Sequence, residues 1–452
     1  MINFRESIGA IATIELCPDF REELTHHIAD ELRDDEYCSR SKIGREGVQC
    51  RNRKLTVSNL IVMILGFKSS IQREADRFFK ELYKSDFNIR EVSKAAFTKA
   101  RAHLNPEAFK HLNTLTCSKF YRDVAYKRWH NKRLLAADGS RIMLPNHPTI
   151  VEEFGIHGFG PHADSTRSLA LCSLLYDPLN QLVLDSQIAP FVSSERDLLE
   201  SHLSKINEGD ILLLDRGYPC FWLLFLLTAK KIDYCVRLKD DWWLKVKSFT
   251  NSNQNDIIVE FTLPKKDYKK LEEYPQIREQ TIKCRLVKVL LDNGETEILC
   301  TSLLDTIEYK QEEFKALYHY RWGEEECFKL LKSRMELERF SGKTALAVKQ
   351  DFHAKVFMLS FMAAFAYPID EKVKKEFQAD EDRKHSQQIN RTNALSTIRS
   401  VIVDLFLKKN VHKAIEAFDE LVFKTREIIR HNRKEKRNHK QKKPYSMNYK
   451  PL

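Results

Sequence analysis

A chain of 452 residues is long enough for two or three domains and a sizeable core. Its +11 formal charge and isoelectric point near 9.0 favour a polyanionic partner, although a merely basic enzyme has the same balance. At 42% hydrophobic and 31% charged residues the composition is that of an ordinary soluble protein, and ten cysteines without a C-x-x-C pair or ligand-like spacing read as reduced, mostly buried thiols.

The N-terminal stretch MINFRESIGAIATIELCPDF lacks a basic region leading into an apolar core. The longest apolar runs, FWLLFLLTA and VFMLSFMAAFAYPI, are shorter than the roughly 20 residues that cross a bilayer. Both features predict a cytoplasmic protein with no membrane partner. Residues 1–125 form a helical region, because apolar positions recur at helical spacing in TVSNLIVMILG and IQREADRFFKELY. In EVSKAAFTKARAHLNPEAF, a helix capped by Ser93 puts Ala96, Phe97, Ala100 and Leu104 on one face and Lys94, Thr98 and Arg101 on another. That pattern fits a helix that reads DNA and fits a plain bundle helix equally well.

From Arg133 the texture changes to short apolar runs with turn punctuation, and residues 126–238 form the next unit. RLLAADGSRIML, LALCSLLYD and QLVLDSQIA predict three successive strands, with Asp177, Pro178 and Asn180 turning between the last two. SSERDLLESHLSKI predicts a helix capped by Ser194, with Asp197 three residues on. GDILLLDRGY, CFWLLFLLTAKK and IDYCVRL then predict strand, helix and strand. Three strands followed by helix, strand, helix, strand is the order of a ribonuclease H-like sheet, so the expected class is α/β. Residues 239–305 interrupt this order as a small antiparallel insertion, with Ile282, Cys284 and Leu286 alternating and Asn293-Gly294 as a hairpin turn. Residues 306–375 return to the core, and residues 376–452 are helical and end in the basic tail RHNRKEKRNHKQKKPYSMNYK.

The stretch HYRWGEEECFKLLK concentrates charge beside Trp322, Cys327 and Phe328. Wound at about 100° per residue, it places Tyr318, Arg321, Glu325 and Lys332 within an arc of roughly 60°, while Leu317, Tyr320, Cys327, Phe328, Leu331 and Met335 occupy the neighbouring one. A solvated face with ion pairs has this look, and so does a phosphodiester grip beside a metal ion. Asp138 lies in the first strand and Asp215 at the end of the fourth, adjacent positions in a ribonuclease H-like sheet. With Glu325 they make an all-carboxylate set of the kind that suits Mg²⁺.

These residues resemble the bacterial insertion-sequence transposases of the insertion-sequence-4 group. The family signature Y-x2-R-x3-E-x6-K is matched at every spacing by Tyr318, Arg321, Glu325 and Lys332, and the family's aspartates correspond to Asp138 in AADGS and Asp215 in LLLDRGY. SKAAFTKARAHLNPEAF, FSGKTALAVKQDFHAKV and INRTNAL are also similar to this family, so the resemblance runs from about residue 93 to the tail. It implies a DDE transposase that nicks element ends, closes and opens a DNA hairpin, and joins 3′-hydroxyl ends to target DNA. Asp138, Asp215 and Glu325 would be the catalytic metal ligands for Mg²⁺, for which Mn²⁺ can substitute. Tyr318, Arg321 and Lys332 would grip phosphate near a flipped base, with Trp322, Trp242 or Trp243 as its stacking partner and core packing as the plainer role for Trp243. The partners implied are element-end and target double-stranded DNA and a second copy of the chain, in a nucleoid-associated bacterial protein. A structure-selective nuclease and a non-catalytic DNA-binding descendant remain as alternatives. His157 and His162 read as part of a mobile glycine-rich loop near the site in preference to a metal pair, Glu195 as an extra acidic group or, more simply, a first-turn helix acid, and Arg216 as a DNA contact or an ion-pair partner.

Overall fold

The computed structural model of the chain describes residues 20–44, 54–68, 70–159, 165–239, 242–292, 294–380, 382–408 and 410–429. The basic tail, His162 and Asn293 lie outside the described residues. Among the described residues before 125 the regular elements are helices, Phe20–Glu31, Asp35–Arg40, Val57–Gly66, Ile71–Tyr83, Lys94–Arg101 and Glu107–Asp123. Their starts follow from capping: Thr56 accepts the Asn59 amide and Ser93 the Ala96 amide, each satisfying a donor that the first turn leaves free.

The chain then builds one large, mostly antiparallel sheet surrounded by helices, a mixed α/β body. In chain order its strands are β1 (Leu134–Met143), β2 (Leu169–Asp177), β3 (Leu182–Pro190), β4 (Ile211–Leu214), β5 (Asp233–Leu238), β6 (Asp256–Thr262), β7 (Thr281–Leu290) and β8 (Thr296–Thr301). They lie in the order β3-β2-β1-β4-β5-β8-β7-β6. β1, β2 and β3 form an antiparallel meander, while β4 runs parallel to β1 and β5 parallel to β4. The four apolar residues of β4 are all buried, as a parallel strand inside a covered sheet requires.

Residues 239–305 do not form a sheet of their own. Ile298 to Thr301 of β8 pair with Leu238 to Cys235 of β5, so β6, β7 and β8 continue the central sheet, and the Trp-Trp segment leads into a helix, Leu244–Thr250. Ile282, Cys284 and Leu286 are buried, as period-2 alternation demands. The helix Ala345–Glu376, of 32 residues, is long and apolar enough to cross a membrane by composition, yet its apolar stretch is mostly buried within the fold. The run VFMLSFMAAFAYPI is thus the middle of a core helix. It packs against helix Glu107–Asp123, β3 and helix Val57–Gly66, which explains why apolar residues surround it on most sides.

Candidate active site

The register of the two central parallel strands brings the aspartates together. The last β1–β4 pair is Ala137–Leu214, and the next residue on each strand is Asp138 and Asp215. Asp138 Oδ1 accepts the Gly139 amide at 2.8 Å. Burial pushes its carboxyl up to about 6; Glu195 and Asp215 add to the rise, while the Gly139 bond and Arg321 oppose it.

The signature residues reach both strands, although not along one straight helix. Helix Glu313–His319 ends before Arg321, helix Trp322–Lys329 begins after it, and Leu330–Arg334 forms a π-helical turn, so a uniform 100° winding describes this segment only in outline. The Tyr318 hydroxyl donates to the carbonyl of Leu214, the residue before Asp215, at 3.3 Å. Arg321 donates to Glu325 Oε1 at 3.1 Å and its other terminal nitrogen lies 3.9 Å from Asp138 Oδ2. Lys332 Nζ donates to Ser140 Oγ at 2.7 Å and to the Arg141 carbonyl at 2.6 Å, just beyond Asp138. The guanidinium of Arg321 is therefore buried between two of the expected ligands, and the hydroxyl of Tyr318 is engaged inside the protein. Among the described residues, no group of three or more His, Cys, Asp or Glu side chains stands ready to hold one ion.

Two further carboxyls join the site. Glu195 begins helix Glu195–His202, whose last residue is held by the Ser173 hydroxyl at 3.0 Å and by Asp185 at 2.7 Å, fixing the helix against β2 and β3. Its carboxyl lies so close to Gly139 that a Cβ there would stand 2.6 Å from Oε1, and burial followed by Asp215 raises its pKa. Glu195 is thus more than a first-turn helix acid. Glu324 is fully buried; its Oε1 accepts the Asp138 amide at 2.8 Å, its Oε2 has no hydrogen-bond partner, and burial followed by Asp138 raises its pKa well above the ordinary range. The Tyr218 hydroxyl is likewise buried without a hydrogen-bond partner, and burial followed by Glu195 and Asp138 raises its pKa. Sequence reasoning passed over Glu324 amid three consecutive glutamates. The signal was present, because the same winding puts it at about 240°, in the middle of the apolar arc.

An oxygen-only donor set of this kind suits a hard divalent ion, which would offset the burial that, with smaller contributions from Glu195 and Asp215, raises the Asp138 carboxyl. The residues fit the group in donor chemistry and charge.

The aromatic candidates separate. Trp322 is 50% exposed, with the Arg321 guanidinium 5.2 Å from its ring centroid. Trp243 stacks on Phe221 at 4.3 Å and packs against Phe261, so it serves the core, whereas Trp242 stacks on Trp243 at 5.8 Å and is exposed at its edge. In helix Lys94–Arg101, Lys94 and Thr98 are exposed, but Arg101 departs from the expected DNA-facing arc. It is buried, and its guanidinium bonds Gln350 at 2.8 Å, Ser341 at 2.7 Å and Asp351 at 3.1 Å. A charge with that many internal partners is a tie to the core helix instead of a contact for DNA. Arg216 is exposed beside Asp215, and His157 lies in a short strand, His157–Phe159, with its ring 4.7 Å from that of Phe191.

Residues 129–361 match the family model described as "Transposase DDE domain". Among curated proteins, the chain is 22% identical over 319 residues to the transposase InsG for insertion sequence element IS4 of Escherichia coli strain K12, covering 68% of this chain and 69% of that protein. Among solved structures, a cryo-EM synaptic complex of piggyBac transposase with hairpin DNA is similar over 88% of this chain and 83% of that one, at 10% identity and a TM-score of 0.43, a likeness too loose to bear on mechanism.

Proposed function

The chain belongs to the transposase DDE domain family, and from that premise we propose that it is a cut-and-paste transposase that acts through Asp138, Asp215 and Glu325. The observation that carries this reading is that Asp138, within β1, and Asp215, just past the end of the parallel strand β4, each follow the last residue pair of the β1–β4 ladder, with Arg321 linking Asp138 to Glu325. The order and directions of β3-β2-β1-β4-β5 support a ribonuclease H-like core, the scaffold on which such a trio is expected.

Asp138, Asp215 and Glu325 would hold Mg²⁺ or Mn²⁺, which would supply an activated oxygen nucleophile and neutralise charge on the phosphate. The chain's own residues do the rest. Arg321 holds Glu325 near Asp138 while the site is empty of phosphate and turns part of its charge to the phosphate when DNA arrives. Lys332, half-buried against β1, adds a second positive charge, and Tyr318 fixes the backbone beside Asp215. Trp322 and the partly exposed Trp242 are the rings open to an unstacked base, and Lys94 and Thr98 face the duplex.

Water cuts one strand at each element end and leaves a 3′-hydroxyl. That hydroxyl attacks the opposite strand, forming a hairpin and releasing the flanking DNA; a second water opens the hairpin, and the regenerated 3′-hydroxyl joins target DNA. Two ends joined in one event call for two copies of the chain. Incubating the protein with end-containing DNA, Mg²⁺ and a target plasmid tests the reading. Joined product is expected. Cutting without joining would make the protein a nuclease, and binding without cutting would make it a non-catalytic DNA-binding protein.

A further inference from the structure

Glu324 is where the helix bearing Glu325 meets the strand bearing Asp138. The parallel β1–β4 ladder stops at Ala137–Leu214, and the next amide on β1, that of Asp138, is taken by Glu324 Oε1 at 2.8 Å. A carboxyl that is 0% exposed with its second oxygen unsatisfied opposes folding, so packing alone does not account for it. Helix Trp322–Lys329 is eight residues long, with a break before it at Tyr320–Arg321 and a π turn after it at Leu330–Arg334. The segment is tied to the sheet at both ends, through Tyr318 to the Leu214 carbonyl and through Lys332 to Ser140 and Arg141. Between those ends, the bond from Glu324 to the Asp138 amide acts on the residue adjacent to Glu325.

We propose that Glu324 is a positioning residue: by holding this helix to the backbone of Asp138, its side chain sets the spacing between the Asp138 and Glu325 carboxylates and thereby the affinity of the site for a divalent cation. The proposal rests on the reading of Asp138 and Glu325 as ion ligands. It assigns Glu324 no contact with substrate. A metal site whose outer support is lost typically binds its ion about 10- to 100-fold more weakly.

Three substitutions separate reach from volume and charge. Glu324→Gln keeps an acceptor oxygen at the same reach, Glu324→Asn withdraws it by one methylene, and Glu324→Met keeps the length but removes the acceptor. Mn²⁺ binding to the full chain is measured by calorimetry at low temperature, per folded molecule, alongside thermal unfolding. Glu324→Gln is expected to bind Mn²⁺ within about threefold of wild type, and Glu324→Asn and Glu324→Met about 10- to 100-fold more weakly. Wild-type affinity in Glu324→Asn and Glu324→Met overturns the proposal, even if both unfold more easily, because Glu324 then only packs. Equal weakening in Glu324→Gln also overturns it, because the charge itself, not the reach, would be what the ion needs. Asp138→Asn distinguishes failure of the underlying reading: wild-type Mn²⁺ affinity there removes the ion site altogether, whereas loss in Asp138→Asn with no change in Glu324→Asn refutes the positioning role alone.

Discussion

Replacing Arg101 with alanine tests whether the helix Lys94–Arg101 uses that residue for the fold or for DNA. The guanidinium and the Asp351 carboxylate are each 4% exposed, and the same guanidinium serves Gln350, Ser341 and the Ala347 carbonyl. Burial alone would raise the Asp351 carboxyl, but Arg101 first, then Lys355 and Ser341, hold it below its usual range. Truncation leaves that carboxylate buried with Ser341 as its remaining hydrogen-bond partner and removes the donor to Gln350 Oε1. Removing one partner of a buried pair costs about 3–5 kcal/mol, a large share of the roughly 5–15 kcal/mol that holds a domain together. An unfolding entropy of about 2.1 cal/mol/K per residue over 452 residues gives about 1 °C per kcal/mol, so Tm should fall by roughly 3–5 °C. Calorimetric unfolding measures the loss, and a filter-binding assay in the cold, normalised to folded protein, should show unchanged affinity for DNA. A Tm within about 2 °C of wild type together with weakened DNA binding would refute the argument and return Arg101 to the DNA face.

Asp138→Ala, Asp215→Ala and Glu325→Ala should each abolish nicking of element ends in Mg²⁺ while end binding in a gel-shift assay stays largely intact; normal nicking by any one of them removes that residue from the trio. Trp322→Ala should nick nearly normally yet close hairpins about ten- to a hundred-fold more slowly, since stacking is worth about 1–3 kcal/mol per base. Denaturing gels of end-labelled DNA follow both steps, and equal slowing of the two would make Trp322 a packing residue. Burial, with Lys110 and Lys349 nearby, lowers the His353 imidazole to about 3, so the unfolded chain takes up that proton near pH 6.5 and the folded chain does not. Stability should therefore fall as pH drops below about 6.5, by up to ~1.4 kcal/mol per pH unit, and level off near 3; His353→Gln should flatten that slope in urea titrations, and an unchanged slope would assign the acid sensitivity elsewhere.

The strands carrying the aspartates were legible because a buried parallel strand is a near-continuous apolar run, and ILLL ends directly before Asp215. The spacing from Tyr318 to Lys332 was legible as sequence, but the break at Arg321 and the π turn around Lys332 were not, since residue spacing is blind to how the helix is wound between its marked positions. Arg101 was misplaced for a physical reason: amphipathic periodicity assumes that charge points to water, and a guanidinium with buried partners on a distant helix violates it without leaving a local trace. Glu195 read more simply as a helix-start acid than as an extra acid of the site, because what brings it to Asp138 is the packing of Gly139 beneath its carboxyl, a contact between residues far apart in the chain.

Because β8 is hydrogen-bonded to β5 along Ile298 to Thr301, and Trp243 is stacked on Phe221 of the helix that follows β4, the segment bearing Trp242 shares a frame with Asp215. Through Trp243 and Phe221 it is packed onto the same body as Asp215. A base that comes to rest on Trp242 has to be carried there by distortion of its own strand, so the work of reaching the tryptophan falls on the DNA. Sequences that unstack easily at the element boundary, such as pyrimidine–purine steps, are then favoured even where no side chain reads them.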